Sequence, residues 1–207
     1  MLPTLARPLL VVAALTAALP ARVLAQPAPS APTDALTALD REVLTAAEAL
    51  AAEATQLIEQ WIAAHEILED RLFARLYFPI GKTRPQKYTT PYDALADRDL
   101  VGPEDRTLGR TDTRIYAIVT DSNGYVPAHN TRFARPLSGD TEADYLNNRT
   151  KRLLGDLTSL TAARSEAHYL LQRARLETGE PIYDLSVPVT VRGKHWGCVR
   201  IGYRRGE

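Results

Sequence analysis

The sequence predicts an α+β fold, an antiparallel sheet with covering helices that is led by one long N-terminal helix. Three observations carry this. Leu36, Leu39, Val43, Ala46, Leu50, Ala54, Leu57, Trp61, Ala64, Leu68 and Leu72 recur at helical steps of three and four. Ile115, Tyr116, Ala117, Ile118 and Val119 form a β-branched and aromatic run, short enough for a strand buried on both faces. Near the end, Leu185, Val187, Val189 and Val191 alternate with Ser186, Pro188 and Thr190, the period of a strand with one apolar face.

The elements follow in order. Residues 1–25 hold Arg7, an apolar run from Leu9 to Leu19, and the small-residue pattern Val23-Leu24-Ala25, and they are expected to form a signal peptide cut after Ala25. The Pro- and Ala-rich residues 26–33 predict a flexible linker. Residues 34–78 are expected to form the long helix, with Asp34 as N-cap and no proline before Pro79; if unbroken to Leu72, it spans about 60 Å. Two readings of its N-terminal half are open. It projects and pairs with a second copy in a homodimer, or it folds back along the domain. The heptad pattern weakens near Glu53 and Gln60, which disfavours a long regular coiled coil.

Residues 79–207 are expected to form one domain. A short helix is predicted around Pro91 to Leu100. Asn123-Gly124 supplies two residues tolerant of positive φ, so the Ile115–Val119 run is expected to turn into a return strand at Tyr125-Val126. Thr131 to Asp140 reads as a loop, and Asp144 to Leu154 and Leu157 to Arg175 as short helices. Pro188 would confine its strand to an edge or an irregular pairing. Arg192-Gly193-Lys194 makes a turn into a last strand whose apolar face is Val199, Ile201 and Tyr203.

Composition narrows the function classes. Lysine plus arginine equals aspartate plus glutamate at 25 each, and loss of the leader moves the net charge from zero to about minus two. That balance gives no electrostatic case for nucleic acid. Cys198 is the only cysteine, which excludes an internal disulfide and predicts a buried thiol. Met1 is the only methionine, so the mature chain has no thioether ligand. Gly81-Lys82-Thr83 resembles the end of a P-loop, but Leu76 occupies the required earlier glycine position.

An ordered set of short motifs adds a family expectation. Asp121-Ser122-Asn123-Gly124-Tyr125-Val126-Pro127-Ala128-His129-Asn130, Asn148-Arg149-Thr150-Lys151-Arg152, Ala162-Ala163-Arg164, Leu170-Leu171-Gln172 and Val191-Arg192-Gly193-Lys194-His195-Trp196-Gly197 occur in that order. Together they resemble the periplasmic PAS/Cache-like sensor domain of bacterial methyl-accepting chemotaxis receptors, over about Tyr77 to Tyr203. The resemblance implies a PAS/Cache-like antiparallel sheet and a small-molecule ligand. Some members of that group hold c-type haem on a C-x-x-C-H motif, which a chain with one cysteine cannot make. The family's receptors continue into a membrane span and a cytoplasmic coil, whereas this sequence ends at Arg204-Arg205-Gly206-Glu207. Any output is therefore expected to pass through a separate membrane receptor or sensor kinase.

Five residues are candidate ligand contacts. His129 and Asn130 follow the predicted hairpin and either line a pocket or cap the next turn. Arg149 and Arg164 suit a bidentate grip on a carboxylate, with ion pairs holding helices to the sheet as the alternative. Trp196 offers a flat wall with an indole donor, or simply core packing. His65, His129, His168 and His195 show no metal-ligand spacing, so neither metal nor cofactor is expected. The expected function is a non-catalytic periplasmic sensor domain. Noncovalent haem held by histidine and a small periplasmic enzyme are the alternatives.

Overall fold

The computed structural model describes residues 35–176 and 178–206; the expected signal peptide, linker and Asp34 cap lie outside the described residues. The first helix, α1 (Ala38–Ala63), starts at a reciprocal cap. Thr37 Oγ1 accepts from the Asp40 amide at 3.1 Å, and the Asp40 carboxylate accepts from the Thr37 amide at 2.7 Å. Val43, Ala47, Leu50, Ala54, Ile58 and Trp61 are buried along one stripe.

The unbroken helix expected to Leu72 is not formed. Its 26 residues span about 39 Å, after which His65 turns the chain at φ 57°. Trp61 O there accepts from the amides of Glu66 and Ile67. The reversal folds Ile67 and Leu72 back into the core, Leu72 from the short α2 (Glu69–Phe73). Nor does the N-terminal half project. Val43 and Ala47 are fully buried in the same core as strand residues, so the apolar face expected to drive homodimer pairing is covered within the chain.

Beyond α2 come β1 (Phe78–Pro79), β2 (Tyr88–Thr89), α3 (Asp93–Asp99) and α4 (Val101–Leu108). Next are β3 (Arg114–Asp121), β4 (Tyr125–Val126), α5 (Thr141–Asn147), β5 (Arg152–Leu153), α6 (Leu157–Arg164), β6 (Leu170–Arg175), β7 (Pro181–Val191) and β8 (Lys194–Tyr203). Four strands make an antiparallel sheet in the order β3-β8-β7-β6, while β1 pairs with β2 and β4 with β5. The fold is α+β, with α1 packed on one sheet face. Among the described residues no helix is long and apolar enough to cross a membrane.

Several local expectations are corrected. Tyr125-Val126 does not return along β3; it pairs with Arg152-Leu153. Asp121 explains why, since its Oδ1 accepts from the amides of Asn123 at 2.9 Å and Tyr125 at 3.0 Å. The turn then needs positive φ only at Gly124, and the chain leaves the sheet. The two-residue turn with both centres left-handed lies instead at Arg192-Gly193, φ 53° and 73°, between β7 and β8. Leu170 to Arg175 is a strand because pairing with β7 overrides its helical composition. The helix expected over Asp144 to Leu154 is shifted to Thr141–Asn147, where Asp140 caps it by accepting from two amides. Pro188 lies in an interior strand, but β6 pairs with β7 only as far as Ser186. At Pro188 the strand has one neighbour, which a residue without N–H tolerates.

The free edge of β3 is closed by side chains. Ala117 N–H donates to Asn130 Oδ1 at 2.8 Å, Val119 N–H to Glu104 Oε1 at 2.9 Å, and the Arg132 guanidinium reaches Ile115 O. Glu104 is fully buried. Burial pushes its carboxyl well above the usual range, with nearby Asp105 and Asp97 adding to the effect against the Val119 amide. Cys198 is the buried thiol expected from its sequence context, and burial pushes it up to about 12.

Two predictions follow from these buried groups. In the fold Glu104 keeps a proton that the unfolded chain releases near its ordinary value of about 4.3, so its contribution is present below that value and is lost as pH rises toward the folded value. Glu104→Gln keeps an acceptor for Val119 and is expected to raise stability at pH 7 by about 1–3 kcal/mol, with the gap closing toward pH 4 in denaturant titrations. Cys198 is expected to resist an aromatic disulfide reagent at about pH 8 in the native protein and to react promptly in denaturant.

Candidate ligand-binding site

Alternation along the strands gives the sheet two different faces. Ala117, Val119, Leu185, Val187, Val189, Val199, Ile201 and Tyr203 share the main core with α1. The intervening positions put Tyr116, Ile118, Ile182, Asp184 and Arg200 on the opposite face, covered by the β4–β5 pair and α6. The apolar cluster on this face has five buried residues: Ile115, Tyr116, Ile118, Val126 and Ile182. It does not fill the space, and a cleft of about 1200 Å³ remains between sheet and cover.

The floor of the cleft is a polar chain, buried at Tyr116, Asp184, Arg200 and Ser159 and ending at the exposed Asp156. Arg200 donates to Asp184 from Nη2 at 2.8 Å and Nε at 3.1 Å, and from Nη1 to Ser159 Oγ at 2.8 Å. Ser159 Oγ donates onward to Asp156 Oδ2 at 2.6 Å, and Asp156 caps α6. Tyr116 O–H also donates to Asp184. Its ring lies against Gly202, where any Cβ would run into it. Burial and the Asp184 charge both push the Tyr116 hydroxyl well up. Burial opposes the charge on Arg200, but Asp184 outweighs it and keeps the guanidinium protonated.

The walls are cationic. Among the described residues, Arg149, Arg152, Arg173, Arg175, Arg204 and Arg205 line the cleft with Asp156 and Glu180, and Arg205 pairs with Asp40 at 2.7 Å. The Arg149 guanidinium lies 4.4 Å over the Phe133 ring, and that of Arg152 lies 4.3 Å over Tyr145. Arg204 pairs with Glu180 at 2.5 Å. By strand alternation Arg173, Arg175 and Tyr183 belong to the α1 side, so the cleft bends around the β6–β7 end of the sheet.

Of the five residues singled out from sequence, His129 and Arg149 meet at the cleft. His129 is buried between Phe133 and Tyr116 with no partner on Nδ1. Burial, then the charges of Arg149, Arg152, Arg132 and Lys87, hold its imidazole well below the usual range. Asn130 adjoins them but serves the β3 edge. Arg164 is exposed and is not a cleft residue. Trp196 lies in the α1-side core, edge-on to Tyr92 at 5.7 Å, because the β7–β8 pairing is irregular between Val189 and Thr190 and leaves Trp196 as an extra residue, turned off the face of Cys198 and Arg200 that strict alternation would give it. The other three histidines stay outside the cleft, His195 bonding Ala163 O through Nε2. Among the described residues no three of His, Cys, Asp and Glu are grouped to hold a metal.

Sequence reasoning missed Tyr116, Ser159, Arg200 and Arg205. A usable signal existed for Arg200, a charge between Cys198 and Gly202 on the face opposite Val199 and Ile201. No protein-family model matches the chain, and a search of curated proteins gives no match. Asp184→Ala would strand Arg200 in the floor and is expected to cost about 3–5 kcal/mol, measured by chemical denaturation with ligand absent.

Proposed function

We propose that this chain is an exported periplasmic sensor module of the PAS/Cache-like type. It binds a small molecule in the cleft, performs no chemistry on it, and acts through a separate membrane receptor or sensor kinase. The observation that carries this reading is the cleft itself, a large void on the sheet face opposite the long helix, with polar groups held rigidly in its floor. The sheet order and the ordered sequence motifs support the finer family assignment. The cationic walls support an acidic ligand such as a carboxylate.

A short path links the cleft to α1. Arg205 lines the cleft, stacks 3.8 Å over Tyr183, and donates to Asp40 from Nη2 at 2.7 Å and Nε at 2.9 Å. Asp40 is the capping residue of the α1 first turn and also accepts from Tyr203 O–H at 2.5 Å. Burial raises the Asp40 carboxyl, but the hydrogen bonds from Tyr203, Arg205 and Thr37 outweigh it and bring it down to about 2. A ligand that draws Arg205 toward itself weakens the hold on the start of α1.

A thermal-shift screen of organic acids on the chain from Gln26 tests the binding half: a ligand at about 100 times its Kd adds about 2.7 kcal/mol. Hydrogen exchange tests the coupling half. Ligand is expected to speed exchange in the first turn of α1, and Asp40→Asn is expected to blunt that response while ligand still binds. A cleft ligand that leaves α1 exchange unchanged would remove the coupling.

A further inference from the structure

The hairpin formed by β1 and β2 has a composition that the cleft does not use. From Arg71 to Tyr92 the sequence holds five cations, Arg71, Arg75, Lys82, Arg84 and Lys87, and no aspartate or glutamate. Two of them are engaged inside the fold. Arg75 donates from Nη2 to Trp196 O at 2.7 Å, and the buried Lys87 donates from Nζ to Asn148 Oδ1 and Thr150 O. Lys82 and Arg84 are exposed in the hairpin loop, and among the described residues neither has an ionic partner.

The same segment carries apolar surface. Among the described residues seven large hydrophobic side chains are exposed, and three of them, Leu76, Phe78 and Ile80, alternate along the chain through β1 at 38%, 54% and 38%. Arg75 and Tyr77 turn inward, to Trp196 O and to the buried Asp121 carboxylate, so the residues that alternate with them face out. Phe78 to Lys82 are exposed without interruption, which makes this part of the hairpin a projection and not a groove. The projection is held in shape by its backbone. Ile80 N–H donates to Lys87 O at 2.8 Å, Lys87 N–H to Thr83 Oγ1 at 2.8 Å, and Tyr88 N–H to Lys151 O at 2.9 Å.

An apolar projection that leads directly into Lys82 and Arg84 matches an anionic bilayer in both of its layers, acyl chains for the apolar side chains and phosphates for the cations. A folded protein fits less well. Protein interfaces are depleted of lysine, and three projecting side chains fall short of the ~800 Å² that each partner of a stable complex buries. We infer that the β1–β2 hairpin docks on an anionic lipid surface, with Leu76, Phe78 and Ile80 entering the boundary between headgroups and acyl chains and Lys82 and Arg84 meeting lipid phosphates. The docking is independent of what the cleft binds, so either reading can fail without the other.

The test is sedimentation of the chain from Gln26 with lipid vesicles. Ala31–Glu207 is one compact unit, and leaving out residues 1–25 removes the apolar Leu9–Leu19 run, which would bind lipid by itself. Vesicles of phosphatidylcholine alone are compared with vesicles holding about 30% phosphatidylglycerol. Binding is expected to the anionic vesicles only, and to fall at least about fivefold between about 50 mM and about 500 mM salt. Lys82→Glu with Arg84→Glu, and separately Phe78→Ser with Ile80→Ser, are each expected to weaken it at least about tenfold. Arg110→Glu, an exposed position beyond the end of β3 opposite Asp121, is expected to leave it unchanged. Circular dichroism checks that each variant is folded. Trp61 and Trp196 are buried, so Phe78→Trp adds a reporter whose emission is expected to shift to the blue on anionic vesicles and to be quenched by bromine in the acyl chains. No binding to anionic vesicles, equal binding to both kinds, binding that survives either pair of substitutions, or equal weakening by Arg110→Glu overturns the inference. So does a concentration-dependent dimer that Phe78→Ser with Ile80→Ser dissolves while anionic vesicles stay unbound, which would assign the projection to a second copy of the chain.

Discussion

Packing of α1 on one face of the four-stranded sheet is the constraint on which the remaining structure depends. Each fully buried Val, Leu, Ile or aromatic side chain contributes about 1.5–3 kcal/mol, and Val43, Leu50, Ile58 and Trp61 meet Leu185, Val189, Val191, Val199 and Ile201 in a single core. Because this face is apolar on both sides, it fixes the strand register; a slip of one residue would turn Asp184 and Arg200 into it. The polar positions are therefore assigned to the opposite face. What covers that face is mixed: Val126 and Leu154 join its apolar cluster, and Ser159 joins its polar chain.

This division accounts for the cleft. Asp184, Arg200, Ser159 and Tyr116 satisfy one another in the floor, so burying them leaves no stranded charge. The cover is made of two short strands and an eight-residue helix, and it leaves part of this face unfilled.

The helix stripe, the apolar β3 run, the alternating β7 face and the Arg192-Gly193 turn were legible in the sequence because each depends on local period or local φ. Leu170 to Arg175 was not, since its composition favours helix and only pairing with β7 makes it a strand. The break at His65 was equally hidden: it has no glycine or proline, and the reversal is stabilised by where Ile67 and Leu72 can be buried. At the site, His129 and Arg149 were found from their positions, whereas Arg164 and Trp196 were not at the cleft. Trp196 is turned into the core by the irregular pairing of β7 with β8 opposite Val189 and Thr190, which alternation does not reveal, and Arg205 was out of reach because its role depends on Asp40, distant in sequence.

Asp40 joins the start of α1 to Arg205 at the rim of the cleft without entering the apolar stripe. A carboxylate has about four acceptor positions, and Asp40 fills them with the Thr37 amide, the Tyr203 hydroxyl and two nitrogens of Arg205. Removing Arg205 leaves the reciprocal cap with Thr37 and the Tyr203 bond in place, so the helix start is loosened without being unfolded. The apolar stripe from Val43 onward is untouched by that change. The link between cleft and helix start is thus one charged pair at the rim of the cleft, separate from the apolar contacts that hold α1 to the sheet.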